Sequence, residues 1–490
     1  MASQEELRNV RIEKISMLQE AGMEAYAPYL KRSTNLSNLA QHFKEGTEHS
    51  VIGRVMAIRG GGAIVFIVIN DGTGEFQIVL KKDAIDQALF SLFNDTVDVG
   101  DFVWFSGSTF VTKRGAQSLL ATQWKMATKS LLPLPDKHAG LKDQDEIYRK
   151  RYLDLITNKE AFKRFTLRSK IIAAIRSYLH DRDFIEIETP ILQNQAGGAM
   201  AETFNTHHND YDMDMVLRIS LELEHKMVMA GGYPRIFEIG KNFRNEGSDP
   251  THIQEFTMIE WYAAYESLET NMAWTKEMIQ ELAKKVCGKE IFTVYDNDGN
   301  QHEIDLSTDW KQARFDELLQ EHANLDIHTA SDDDIKAKAH EYGVSKEEQE
   351  ARSRASLLDT IYKKSARSKL IQPTFVTHYP SALKPLAQHN GDGTAQVAQL
   401  VIACAEITNQ YAELVDPLIQ RKLLEQQAQA KRDGDQEAMS VDESFLTAME
   451  HGMPPMTGFG MGIDRLVAIL TEQRNLRDVI FFPIMKPKHE

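Results

Sequence analysis

Apolar positions change their spacing along the chain, and the changes divide it. Near the start, Ile12, Ile15, Leu18 and Met23 follow helical spacing among charges, and Gly22 and Pro28 end the run. This predicts a helix over about residues 3–25. From Val51 the period drops to two. Four runs, 51–59, 63–71, 74–82 and 101–111, are parted by glycine and Asp-Gly turns, with a helical patch at 83–93 before the fourth. Short strands with one interrupting helix predict a small closed barrel.

The Pro-rich polar stretch 131–143 is the best boundary. It predicts a front domain over 1–130, a linker over 131–145 and a second domain over 146–490. Beyond the linker, Glu160 to Arg182 is amphipathic at helical spacing, with Phe165, Ile172, Ile175 and Leu179 on one face. A strand, FIEIETPIL, follows. Next come Gly197 and Gly198, a short strand near 216–219, and a helix closed by Gly231 and Gly232. Residues 268–288 predict another helix, and 308–369 an inserted helical subdomain. The segment 398–414 begins as a buried strand and ends polar, and 416–435 is a charged helix. Strands cluster in the middle while helices lie before, after and between. The fold class is α+β: a barrel, then an antiparallel sheet with helices and a helical insertion.

At the centre lies RIFEIGKNFRNEGSDPTHIQEFTMIEWYAAY (235–265). Alternation gives strands Ile236 to Glu246 and Phe256 to Tyr265, joined by a polar loop with Gly247, Asp249 and Pro250. A period of two places Arg244 and Glu246 on one face, and lines up Phe256, Met258, Glu260 and Tyr262. The hairpin therefore presents a guanidinium, two carboxylates, an aromatic ring and a phenol to one pocket. Solvated surface charges do not explain why Phe256 and Met258 share that face.

Composition narrows the class. At 42% apolar and 26% charged residues, without low-complexity tracts, the chain is an ordinary globular protein of several domains. No apolar run has the length of a membrane span, and the first residues lack a signal peptide's apolar core, so the expected compartment is the cytoplasm. Cys287 and Cys404 stand far apart without metal-ligand spacing, which predicts buried thiols and no disulfide framework. The net charge of −16 argues against nonspecific nucleic-acid binding by the whole surface. That excess falls beyond residue 130, and the front domain is balanced, so a polyanion can be met locally there. On the barrel, Arg54, Arg59, Phe66, Phe76 and Gln77 are candidates for stacking and hydrogen bonding to unpaired bases.

The stretch GFGMGIDR (458–465) is a second signal. Glycines opening a helix let a ligand approach the backbone closely, and Arg465 in the first turn opposes the helix dipole. A bidentate guanidinium there suits a terminal phosphate better than it suits the helix. Three motifs now stand in order: FIEIETPIL, FRNEG with HIQEFTMIEWY, and GFGMGIDRL. In order and spacing they resemble the signatures of class II aminoacyl-tRNA synthetases. RYLDLI (151–156), the front barrel and the ending RDVIFFPIMKP resemble the lysyl branch of subclass IIb. The resemblance covers nearly the whole chain.

The resemblance implies activation of L-lysine by ATP with release of diphosphate, then transfer to the 3′ end of tRNA(Lys). Arg244, Glu246 and Arg465 are its implied catalytic residues. Arg244 would bridge the lysine carboxylate and the α-phosphate; Glu246 would bind the adenine amino group and Phe256 stack on the ring; His252 and Arg465 would hold the outer phosphates. Lysine would be held by Gly198, Glu222, Arg244, Glu260, Tyr262, Asn409, Tyr411 and Glu413, with Glu413 and Tyr262 at the ε-ammonium. The barrel would read the anticodon through Arg59, Phe66 and Gln77. The first motif implies a homodimer. Mg²⁺ is the implied cofactor, on Glu406 and on a second position that falls at Gln399, where a neutral amide is the poorer ligand. Ile253, Ala405, Thr408 and Asp183 also depart from the family pattern, at positions usually held by Asn, Arg, Gly and Gly. Aspartyl and asparaginyl enzymes share the layout, but Glu222, Glu260 and Glu413 would repel an aspartate. A catalytically silent tRNA-binding relative is the other alternative, motivated by Gln399 and Ile253. A paralogue that modifies a translation factor would lack the barrel.

Overall fold

The computed structural model describes residues 3–135, 140–199, 201–296, 298–432 and 441–488. Residues 136–139 of the expected linker and 433–435 of the expected charged helix lie outside the described residues. The chain forms two compact units, 1–143 and 144–490.

In the first unit a helix spans Gln4–Glu20, opened by a reciprocal cap between Ser3 and Glu6. Strands Glu48–Gly61, Ile64–Asn70, Glu75–Lys81, Phe102–Val111 and Gln117–Thr128 close into a barrel. Alternation places Val65, Ile67, Ile69, Ile78 and Leu80 inside. Phe76 lies inside with them, which removes it from the stacking candidates. The fifth strand is absent from the sequence reading. Two register shifts against its neighbour break its period-two burial, so the local pattern carries no strand signal.

The second unit is built on an eight-stranded sheet. Its strands run, in order, Lys311–Arg314, Thr374–Thr377, Val397–Ile402, Ala405–Ala412, Met456–Gly462, Glu255–Ala264, Arg235–Phe243 and Ile185–Glu186. Pairing is antiparallel throughout the interior and parallel at both edges. Helices Lys159–His180, Leu268–Glu281 and Ile463–Leu470 contribute Ile175, Ile279 and Val467 to a core with Phe237, Trp261 and Phe459 of the sheet. A second cluster packs helices Phe315–Ala323, Asp332–Glu341 and Arg354–Ser365 on Val376, Val397 and Val401.

Several elements differ from expectation. The segment expected to be an insertion from 308 begins with strand Lys311–Arg314, which belongs to the main sheet, and the helices start at Phe315. FIEIETPIL pairs in the main sheet only through Ile185 and Glu186. Pro190 has no donor, and the Thr189 amide bonds the Glu238 carboxylate at 2.9 Å instead of a strand. The segment 398–414 is a hairpin rather than one strand. Its two-residue turn, Ala403 and Cys404, has φ of 51° and 65° and contains no glycine, so nothing in the sequence marks it. Ile291–Tyr295 and Gln301–Asp305 form a further hairpin. Asp183 sits at φ 61°, a left-handed position that favours glycine. Neither cysteine is in a disulfide; Cys404 is buried, but Cys287 is only half-buried. No described helix is long and apolar enough to cross a membrane.

Candidate functional site

A cavity of about 330 Å³ opens over strands Glu255–Ala264, Met456–Gly462 and Ala405–Ala412. Phe256, Met258, Glu260 and Tyr262 reach it from alternate positions of one strand, as a period of two requires. The glycines of 458–462 lie on the adjacent strand rather than in a loop before the helix, and helix Ile463–Leu470 begins after them. Their role is close approach. A Cβ at Gly458 would overlap the Glu413 carboxylate and the Tyr262 ring.

Arg244 lies one residue beyond the end of strand Arg235–Phe243. Its amide makes a last rung to the Gln254 carbonyl at 2.9 Å, and Asn245 then turns away to bond Glu202 at 3.0 Å. The expected strand to Glu246 therefore stops short, and Glu246 lies on the exposed loop at the cavity rim. The Arg244 guanidinium lies over the Phe256 ring at 5.2 Å. Burial lowers its pKa, and Glu246, Glu260 and Glu406 offset that only in part. It makes two long contacts, each 3.4 Å, to the Ile219 carbonyl. Arg465 donates to the Glu406 carbonyl at 2.8 Å and is shifted downward by burial in the same way. His252 stands at the exposed edge, paired with Asp249 at 2.8 Å. Ile253 lines the cavity and packs on the main core.

The other end is acidic and closed. Glu222, Glu260 and Glu413 are all buried, beside Tyr262. Glu260 accepts from Ser220 and the Leu221 amide at 3.2 Å and from the Tyr262 hydroxyl at 3.3 Å. Burial, with Glu222 adding, still pushes Glu260 up to about 7. A residue absent from the sequence reading completes the cluster. Lys226, fully buried, lies 2.6 Å from both Glu222 and Glu413. Burial works against its charge, but the two carboxylates outweigh that and raise its pKa. Its position four residues after Glu222 on helix Glu222–Ala230 was the available signal. Lys226 is paired with Glu413 Oε2, while Glu413 Oε1 has no hydrogen-bond partner among the described residues. Burial pushes the Glu413 carboxyl well up, against the pull of Lys226. Three carboxylates face one internal ammonium. Gly198, at φ 77°, packs against Glu222, where a Cβ would crowd the Glu222 Cβ at 2.9 Å.

Asn409 and Tyr411 line the cavity from one strand and are hydrogen-bonded to each other, and Glu413 follows them. Thr408 is buried, and its hydroxyl accepts from the Leu400 amide at 3.3 Å beside a bulge. Lys384, also absent from the sequence reading, enters from the loop after Ser381–Leu383. Arg218 lies behind the site, 2.8 Å from Glu238, which also meets His225 at 3.1 Å.

Of the two positions implied to hold a divalent ion, one carries a carboxylate. Glu406 lines the cavity, but Gln399 does not; its amide is buried and donates to Asn409 at 3.3 Å. Among the described residues no group of three His, Cys, Asp or Glu converges closely enough to hold a metal. This donor set fits an Mg²⁺ held largely by nucleotide phosphates with Glu406 as its one carboxylate. It does not fit a second protein-held ion.

On the barrel, Arg59 faces Phe66 across the first two strands, and Gln77 faces Val68 across the next pair. All three lie on the outer face, and Gln77 Nε2 donates to Ser118 at 2.8 Å. Arg54 is tied to the Gly100 carbonyl at 3.1 Å and lies over the Phe102 ring at 4.3 Å.

Two family models match. Residues 143–486 match the model described as tRNA synthetases class II (D, K and N), and 49–127 match an OB-fold nucleic acid binding domain. Among curated proteins, the chain is similar to a lysine–tRNA ligase of Nostoc sp. (strain PCC 7120), 39% identical over 99% of this chain and 89% of that one. Its similarity to the lysine–tRNA ligase of Synechococcus sp. (strain RCC307) is 41%, over 99% and 97%. To that of Moorella thermoacetica it is 39%, over the full length of both.

Proposed function

The chain belongs to the class II tRNA synthetases of the D, K and N group, and on that premise we infer that it is a ligase joining lysine to tRNA. The observation that carries the choice of lysine is the closed acidic end: Glu222, Glu260 and Glu413 against the single ammonium of Lys226. An unpaired buried charge is costly, so this end takes a cation and rejects aspartate. Glu413 and Tyr262 receive the ε-ammonium; Glu222 and the Gly198 backbone take the α-amino group. Asn409 steadies the carboxylate, and Tyr411 flanks the stem.

ATP enters with adenine on Phe256, its amino group at Glu246, and its outer phosphates between His252 and Arg465. A lysine carboxylate oxygen bonds to the α-phosphorus as the bond to diphosphate breaks, and diphosphate leaves with the electron pair. No proton moves. Two anions must meet, so the chemistry is positioning and charge stabilisation. Arg244, half-buried and held only by long contacts to the Ile219 carbonyl, is the cation both anions approach. Glu406 would help hold an Mg²⁺ ion, which would supply further charge neutralisation. The tRNA 3′ hydroxyl oxygen then bonds to the lysyl carbonyl carbon as its bond to AMP breaks, and the hydroxyl proton passes to the departing AMP phosphate.

The outer barrel face, with Arg59, Phe66 and Gln77, reads unpaired anticodon bases by stacking and edge hydrogen bonds. Ile185, Ile191 and Leu192 of the first motif are 41–46% exposed in one chain, which supports a homodimer that covers them. We place the enzyme in the cytoplasm, where its substrates meet. ATP–diphosphate exchange with each amino acid in turn tests the reading. Lysine-dependent exchange is expected; exchange with aspartate or asparagine instead, or none at all, overturns it.

A further inference from the structure

The strongest feature left over is the ammonium of Lys384. It lines the same cavity as Arg244, yet it has no ion pair with any described carboxylate. Two aromatic faces hold it instead, Tyr379 at 5.1 Å and Tyr411 at 5.7 Å. The residue is half-buried by surface, and what it exposes borders the cavity. A lysine in such a place ordinarily reaches bulk water with its tip.

Position says what the tip meets. Lys384 belongs to the loop that runs beside strand Ala405–Ala412, where Ala387 pairs with Glu413 and the Gln388 amide bonds the Ala412 carbonyl at 2.8 Å. Arg244 arrives from the end of strand Arg235–Phe243, three strands away across Met456–Gly462 and Glu255–Ala264. The two cations therefore reach one cavity from different strands of the sheet, and Glu406 lines it with them. Tyr411, under Lys384, flanks the proposed lysine stem. Lys384 and Glu406 line the same cavity as Arg244, on the side of Tyr411.

From this geometry we propose that Lys384 is a further catalytic residue, a second cation that contacts the α-phosphate opposite Arg244. The assignment rests on the lysine-activating reading above. It also gives the missing second carboxylate at Gln399 a physical sense. Where the site holds one ion fewer, a fixed ammonium supplies positive charge directly to phosphate oxygens. The pentacovalent charge at phosphorus is then shared by Arg244 and Lys384, and no proton is exchanged with either.

The test compares K384M and K384R with the wild type in lysine-dependent ATP–diphosphate exchange across an Mg²⁺ titration. K384M is expected to lose about 100-fold in kcat, with the KM for lysine changed by less than about threefold. Its requirement for Mg²⁺ should rise, and K384R, which keeps the charge, should recover most of the loss. A binding readout without metal accompanies this: calorimetry with AMP and with adenosine in chelator. The wild type should prefer AMP over adenosine by about tenfold more than K384M does, since the contact is to phosphate. If K384M does not fold, K384Q carries both measurements. Lysine binding by the variant, measured alone, shows that the pocket is intact. A variant that keeps the wild-type kcat and the wild-type AMP preference overturns the assignment and leaves Lys384 as packing on Tyr379 and Tyr411. Absence of lysine-dependent exchange in the wild type would fail the functional reading instead.

Discussion

Lys226 and Glu413 meet at 2.6 Å with no solvent on either side chain, and Glu222 reaches the same ammonium from a second direction at 2.6 Å. The acidic end of the cavity thus contains an internal cation, which holds two of the three carboxylates in place but cannot neutralise all of them. What remains is a deficit of positive charge beside Glu413 Oε1, which has no hydrogen-bond partner among the described residues. On the proposed reading a lysine side chain would fill it, and a neutral or acidic one would not.

Replacing Glu413 tests that deficit. E413Q keeps the size and removes the charge, and the KM for lysine should rise about 100-fold, in line with loss of a buried charge-assisted contact worth about 2–5 kcal/mol. The KM for ATP should stay near the wild-type value. Unchanged lysine kinetics would show that the ε-ammonium goes elsewhere.

Proton release should accompany lysine binding. Without ligand, burial and Glu222 hold Glu260 up to about 7, and Glu413 is shifted the same way. Bound ammonium groups favour the ionised carboxylates, so protons leave as lysine enters. Affinity should climb from pH 6 to 8, by at most about tenfold per unit for one proton, and then level off. The sign for stability is opposite. The folded protein keeps a proton on Glu260 that the unfolded chain gives up near 4.5, so the ligand-free fold loses stability as pH rises from there to about 7. Calorimetry of lysine binding in buffers of different ionisation enthalpy should report net release, and net uptake would contradict the scheme.

Arg244 is the cation for which nothing nearby substitutes fully. R244A should lower kcat for exchange by about a thousandfold or more, the upper range for removal of a donor aimed at developing charge. Residual exchange within tenfold of wild type would place the main stabilisation at other groups.

The barrel should act on tRNA alone. F66A removes one stacking platform, worth about 1–3 kcal/mol, and should raise the KM for tRNA in charging by about 10- to 100-fold. Lysine-dependent exchange without tRNA should not change. A parallel loss in both assays would mean a folding defect rather than lost base contact.

Asp183 offers a stability test away from the chemistry. It occupies a left-handed conformation after helix Lys159–His180, where an L-residue is strained and glycine is not. D183G should stabilise the fold by about 0.5–1 kcal/mol, measured by denaturant midpoint. Destabilisation would show that the Asp183 side chain does more than tolerate its backbone.

The sequence by itself determined which residues of the central hairpin share a pocket. Phe256, Met258, Glu260 and Tyr262 needed only a period of two, and that period is a property of any extended chain. On the barrel the sequence named Arg59, Phe66 and Gln77 only as candidates alongside Phe76, and the structure separated them by turning Phe76 inward. Only the tertiary structure decided the rest. The turn at Ala403 and Cys404 has none of the residues that announce a turn, and the fifth barrel strand has its alternation broken by bulges. Arg244 leaves the ladder because Glu202, forty-two residues earlier, captures the next amide. Lys226 and Lys384 looked like ordinary charges on a helix and a loop. Their roles come from which carboxylates and rings face them across the fold, and packing between distant segments leaves no mark in local spacing.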